Sequence, residues 1–186
     1  MPAASYLDAM FEVEIKARAP VEPLEAELKR RGAVFEKTVT QADVYYNAPH
    51  RDFAVTDEAV RLRRQSDRTF LTYKGKKLDA KSKTRKEVEV GVSDFAKMQD
   101  ILASLGFRKT LDVVKERRIY HYKGAEVCLD RIEGLGDFVE LELQADNPAD
   151  IARKRDEIIA LMHELGVEGE LIRESYLEML LTKKQA

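Results

Sequence analysis

The chain holds a single cysteine, Cys128, which excludes a disulfide framework and a cysteine-based zinc centre. Its histidines, His50, His121 and His163, are scattered without metal-ligand spacing. No apolar run approaches the roughly 20 residues needed to span a bilayer. The opening Met-Pro-Ala-Ala-Ser-Tyr lacks the basic and apolar regions of a secretory signal, so the cytoplasm is the expected location. A surplus of one charge is missing too, since Lys+Arg number 32 and Asp+Glu 34. Such a balance denies the chain the single-sign field that non-specific nucleic-acid or membrane-surface binding wants. No aromatic-basic platform for nucleic acid is present either.

Charge itself is abundant: 35% of the 186 residues are ionic, beside an ordinary 44% hydrophobic share. The length suits one domain, residues 1–186. Three segments read as helices. Residues 21–31 place Leu24 and Leu28 on one face and stop at Gly32. Residues 94–105 place Phe95, Met98, Leu102 and Leu105 on one face, with Ser93 as the expected N-cap. Residues 148–165 begin at Asn147-Pro148 and carry Ile151, Ile158, Met162 and Leu165 on one stripe. A short further helix is expected near 174–182. The rest alternates with period two, giving strands near 8–18, 34–47, 58–66, 69–76, 84–92, 108–123, 125–132 and 137–145.

These elements repeat. Glu12-Val13-Glu14-Ile15, a helix, Gly32 and a strand ending at Tyr46 are matched by Glu87-Val88-Glu89-Val90, a helix, Gly106 and a strand reaching Tyr120. The next strands match as well, Val60–Arg64 against Val127–Arg131 and Phe70–Lys74 against Phe138–Glu142. The expected fold is therefore α+β: an eight-stranded antiparallel β-barrel built from two β-α-β-β-β halves, about 8–76 and 84–145, with C-terminal helices over 148–182.

In strand after strand one face is aliphatic and the other ionic. Val60 and Leu62 alternate with Arg61 and Arg63, and Val139 and Leu141 with Glu140 and Glu142. An open antiparallel sheet with one wet face shows the same alternation. Eight strands can also close, which turns the polar face inward around room for one small ligand. Enclosed charges are costly unless paired, metal-bound or matched to a charged ligand. Clustered carboxylates beside clustered cations fit a polyphosphate carrying Mg²⁺ or Mn²⁺: Arg and Lys take phosphate oxygens, and hard carboxylates hold the metal. Glu12 and Glu14 share a strand face, about 7 Å apart, and Glu140 with Glu142 is their natural complement.

Glu12-Val13-Glu14-Ile15-Lys16 resembles the E-x-E-x-K signature of the CYTH, or triphosphate tunnel metalloenzyme, superfamily. The resemblance extends through Asp43-Val44-Tyr45-Tyr46, Arg61-Leu62-Arg63, Thr72-Tyr73-Lys74-Gly75, Arg85-Lys86-Glu87-Val88-Glu89, Lys115-Glu116-Arg117-Arg118, Leu129-Asp130 and Ser175-Tyr176. The segment Gly134-Leu135-Gly136-Asp137-Phe138-Val139-Glu140 is most similar to the class IV adenylyl cyclase branch. The resemblance implies a triphosphate tunnel in which Glu12, Glu14, Glu140, Glu142 and Asp130 hold Mg²⁺ or Mn²⁺. It implies that Lys16, Arg61, Arg63, Lys74, Arg85, Lys115 and Arg117 bind the triphosphate, with Lys16, Lys74 and Arg117 serving catalysis. Many relatives place proline after the Lys-Gly pair; here Lys76-Lys77 follow Lys74-Gly75 and lead to Lys81-Ser82-Lys83.

Two reactions follow from that resemblance. The ribose 3′-hydroxyl of ATP attacks the α-phosphorus to give cyclic AMP and pyrophosphate, or water attacks a terminal phosphorus, as in inorganic and thiamine triphosphatases. A non-catalytic nucleotide or polyphosphate sensor is the rival of a different class. Oligomeric state stays open, a homodimer included.

Overall fold

A computed structural model describes residues 11–78 and 84–185. The expected start of the first strand, residues 8–10, and the basic Lys81-Ser82-Lys83 lie outside the described residues. The strands are β1 (Phe11–Arg18), β2 (Val34–Asn47), β3 (Ala59–Gln65), β4 (Arg68–Lys77), β5 (Arg85–Val92), β6 (Arg108–Tyr122), β7 (Ala125–Ile132) and β8 (Gly136–Ala145). The helices are α1 (Val21–Arg30), α2 (Phe53–Thr56), α3 (Phe95–Ser104), α4 (Ile151–Glu164) and α5 (Tyr176–Gln185).

The strands close into one antiparallel barrel in the ring order β1-β5-β4-β3-β2-β6-β7-β8. That order is unchanged when each strand of the first half is exchanged for its counterpart in the second. The long central pair β2–β6 repeats the symmetry in detail. Its register slips once at Glu36 on β2 and once at Thr110 on β6, each at the same offset from its half's glycine, Gly32 or Gly106. Both glycines adopt positive φ, 78° and 85°, where the chain leaves a helix for a strand. Among the described residues, β1 and β5 are in register at Glu12↔Arg85.

Closure decides which face is wet. The aliphatic residues of β1, β7 and β8 point outward into one cluster with α1 and α4: Val13, Ile15, Val127, Leu129, Val139 and Leu141 pack on Leu24, Leu28, Ile158 and Met162. A second cluster joins Val44, Tyr46, Val60 and Leu62 to Leu102 of α3 and Phe53 of α2. Among the described residues, the outer face of β5 receives no such cover. Val88 and Val90 remain 54% and 56% exposed, although their alternation matches that of the covered strands.

Local caps differ from expectation in three places. Asp94, not Ser93, caps α3 by accepting from the Lys97 N–H. Leu105 follows α3 as its C-cap and is 62% exposed, so the apolar stripe ends at Leu102. Asn147 caps a 3₁₀ turn, Pro148–Asp150, that precedes α4. Among the described residues, no helix is long and apolar enough to cross a membrane.

Candidate active site

The inward faces enclose a cavity of about 630 Å³. Its lining includes Glu12 and Glu14 of β1, Arg61 and Arg63 of β3, Lys74 of β4, Arg85 of β5, Lys115 and Arg117 of β6, and Glu140 and Glu142 of β8. In a ring of eight, strands four places apart face one another, so β3 and β4 stand opposite β8 and β7. A guanidinium and ammonium wall therefore faces a carboxylate wall across the lumen.

The basic wall is held rigid by its own counter-ions. Arg63 donates from Nε and Nη2 to the two oxygens of Asp43, each at 2.7 Å. This fork leaves the Nη1 side of the guanidinium for an anion. Asp43 is buried, and although burial opposes ionisation, Arg63 and Arg61 hold its carboxyl well below the usual carboxylate range. Arg61 lies 3.9 Å from Asp43 and 3.7 Å from Glu89. Its buried Nε finds no hydrogen-bond partner among the described residues. Lys74 donates to Glu87 at 2.5 Å.

On β6 the same construction recurs with its polarity reversed. Arg117 donates from Nε to Asp130 Oδ1 at 2.7 Å and from Nη2 to Oδ2 at 2.5 Å, and Nη2 also reaches Glu140. Asp130 further accepts from Lys115 at 3.3 Å and from the Tyr176 hydroxyl at 2.9 Å. Burial, then the neighbouring Arg117 charge, pulls the Lys115 ammonium down to about 8.

The acidic wall is crowded with like charge. Burial, then the hydrogen bond and charge of Glu12, push Glu142 up to about 10. Burial also weighs on Glu12, but the hydrogen bond from Glu142 and the fields of Lys74 and Arg61 carry its pKa below normal. The two carboxyls thus share a proton. Glu126 of β7 lines the same wall, opposite Glu142 in the strand register, and contributes to the repulsion.

Two expected site residues do not line the cavity. Asp130, 0% exposed, is engaged by Arg117, Lys115 and Tyr176. Lys16 is covered because the segment before α5 crosses the end of β1, pairing Ile172 with Lys16. Its ammonium donates to the Glu174 carbonyl and sits 4.0 Å from the centre of the Tyr176 ring. Conversely, sequence reasoning gave no role to Glu126, Asp43 or Tyr176. The signal for Glu126 was its place on the polar face of β7, two residues before Cys128.

Glu12, Glu14, Glu140 and Glu142 form a donor set suited to a hard divalent ion. As the side chains stand, no three His, Cys, Asp or Glu groups among the described residues are arranged to hold a metal. The shared proton on Glu12 and Glu142 marks where positive charge is wanted, and a divalent ion there would take the proton's place.

Comparisons with known proteins agree with this geometry. The CYTH domain family model matches residues 10–176. A Methanocaldococcus jannaschii protein whose name assigns it provisionally to the adenylate cyclases is 40% identical over 172 residues, covering 91% of this chain and 98% of that protein. The adenylate cyclase CyaB of Aeromonas hydrophila is 28% identical over 171 residues, covering 90% of this chain and 86% of its own. A solved structure from Hippeastrum, provisionally an adenylyl cyclase and described as having a dominant triphosphatase activity, superposes with a TM-score of 0.70. That match covers 94% of this chain and 96% of the other, and at 16% identity it speaks for the fold alone.

Proposed function

Because the chain belongs to the CYTH domain family, we propose that it is a divalent-metal-dependent enzyme of the class IV adenylyl cyclase type, converting ATP to cyclic AMP and pyrophosphate. The observation that carries this reading is the facing of the two walls. Arg61, Arg63 and Lys74 stand across the lumen from Glu140, Glu142 and Glu126. A metallated triphosphate has the complementary polarity: phosphate oxygens toward the cations, metal toward the carboxylates.

Each side chain has a part in this chemistry. Arg61 and Arg63 orient the phosphate chain from fixed positions, because Asp43 prevents either from swinging away. Lys115 and Arg117 meet it from β6, held by Asp130, which positions them without touching substrate. Lys74 and Arg85 complete the clamp and stabilise the charge that collects on the departing pyrophosphate. A divalent ion bound by Glu12, Glu14, Glu140 and Glu142 would neutralise phosphate charge and acidify the ribose 3′-hydroxyl. Lys16, expected to act on the triphosphate directly, anchors the segment before α5 through Glu174 and Tyr176.

Inorganic or thiamine triphosphatase activity is the second reading, because the lumen's cations and carboxylates address only the phosphate chain and metal that both reactions share. The same clamp serves both reactions, and the placement of the ligand's organic part selects between them. Incubation with Mg²⁺ or Mn²⁺ and, separately, ATP, inorganic triphosphate and thiamine triphosphate tests the choice. Cyclic AMP with pyrophosphate is expected. Orthophosphate alone establishes the hydrolase, and binding without turnover would reduce the protein to a sensor.

A further inference from the structure

One stretch of the tunnel wall is neither acidic nor basic. Val39 of β2, Ile119 of β6 and Cys128 of β7 are buried together in a small cluster separate from the helix-covered cores. Ile119 and Cys128 line the cavity. Burial pushes the Cys128 thiol well above its ordinary value, so it stays neutral and belongs to this apolar surface. A polyphosphate has no use for such a patch, and ionic side chains would lose hydration against it.

Gln41 stands beside it on the same face of β2, about 7 Å from Val39 in one direction and from Asp43 in the other. Gln41 is 4% exposed, lines the cavity and donates from Nε2 to Gln65 Oε1 at 2.6 Å. Its Oε1 has no hydrogen-bond partner among the described residues. Buried acceptors are normally satisfied. An apolar surface with an orphaned amide acceptor beside it, next to a phosphate clamp, matches a nucleobase: the ring lies on the patch and an exocyclic amine meets the acceptor.

We propose that Ile119 and Cys128, backed by Val39, form the base subsite of the tunnel and that Gln41, fixed by Gln65, accepts from the exocyclic amine of adenine. This rests on the triphosphate reading above and deepens it, since it selects an adenine nucleotide over a bare polyphosphate. A cavity of about 630 Å³ leaves room for the nucleoside, within the roughly 300–1,000 Å³ usual for sites enclosing small organic ligands.

Titration calorimetry with Mg²⁺ and three ligands tests it: ATP, ITP, which carries a carbonyl in place of the amine, and inorganic triphosphate. The unaltered protein is expected to bind ATP at least about fivefold more tightly than ITP, and Gln41→Leu to weaken ATP about three- to tenfold while leaving inorganic triphosphate unchanged. Equal affinity of the unaltered protein for ATP and ITP overturns the acceptor role without any variant having to fold. Equal losses for ATP and inorganic triphosphate in Gln41→Leu overturn the base subsite while leaving the triphosphate reading standing. Failure of the unaltered protein to bind any of the three removes both.

Discussion

Replacing Arg63 with alanine tests whether the basic clamp is also a folding element. Asp43 keeps only 3% of its side chain exposed and accepts two hydrogen bonds from Arg63. Deleting one partner of a buried ion pair costs about 3–5 kcal/mol, mostly the penalty of the charge left behind. Arg61, 3.9 Å away, still compensates Asp43 in part, which places the expected loss at about 3 kcal/mol. At about 2–4 °C per kcal/mol for a chain of this size, Tm should fall by roughly 6–12 °C. Urea denaturation followed by far-ultraviolet circular dichroism is the suitable assay, since the chain has no tryptophan to report by fluorescence.

The double variant Arg63→Ala, Asp43→Ala removes the stranded charge and should recover at least about 1 kcal/mol relative to additivity. The pH dependence has a definite sign. Asp43 has a depressed pKa in the folded protein, so its pairing stabilises fully above the ordinary value of 3.8 and loses that contribution as pH falls below it. The gap between wild type and Arg63→Ala should therefore narrow in acid. A variant within 1 kcal/mol of wild type at neutral pH, or strictly additive losses in the double variant, would refute the reasoning.

Glu12→Gln and Glu14→Gln should each abolish metal-dependent turnover while leaving the urea midpoint near wild type; unchanged rates in both would remove the metal assignment. Lys115, held at about 8 in the free protein, loses its charge as pH rises through that value, so kcat/KM should decline above about pH 8. Lys115→Arg should move that limb upward, and an unmoved limb assigns it to another group. Mg²⁺ binding should displace the proton shared by Glu12 and Glu142, with Glu142 at about 10. Calorimetry in buffers of different ionisation enthalpy should then report close to one proton released near pH 7, and a buffer-independent heat would count against it.

Strand periodicity made the barrel legible because closure preserves a period-two pattern along each strand. The expected 34–47 and 125–132 match β2 and β7 to the residue. The four-residue α2 was not legible. Its start depends on the Asp52 side chain accepting from the Ala54 N–H, and so short an element has no periodicity to read. The same limit applied in the site. Alternation could place Glu12, Arg61 and Glu140 in the lumen, but it says nothing about what lies over a strand end. Lys16 and Tyr176 are distant in sequence, and only the folded path of the segment before α5 brings the ring over the ammonium. Asp130 lies on the inward face of its strand, yet Arg117, Lys115 and Tyr176 saturate it.

The two halves also explain why a symmetric scaffold can hold an asymmetric ligand. Identical halves would present the same charges on opposite walls, and a ligand with an anionic chain and a cationic metal would have no preferred orientation. Here the repeat-equivalent positions differ: Arg61 against Cys128, Thr72 against Glu140 and Lys74 against Glu142. Opposite walls thereby acquire opposite sign. The paired positions change differently. Asp43 with Arg63 becomes Arg117 with Asp130, so each half keeps a bidentate pair between its second and third strands while the charges trade places. A single replacement at either position would bury an unpaired or like-charged couple, which costs far more than an exposed change. The pairs must therefore change together, whereas the Lys74 and Glu142 positions, which line the lumen, set the polarity of the tunnel.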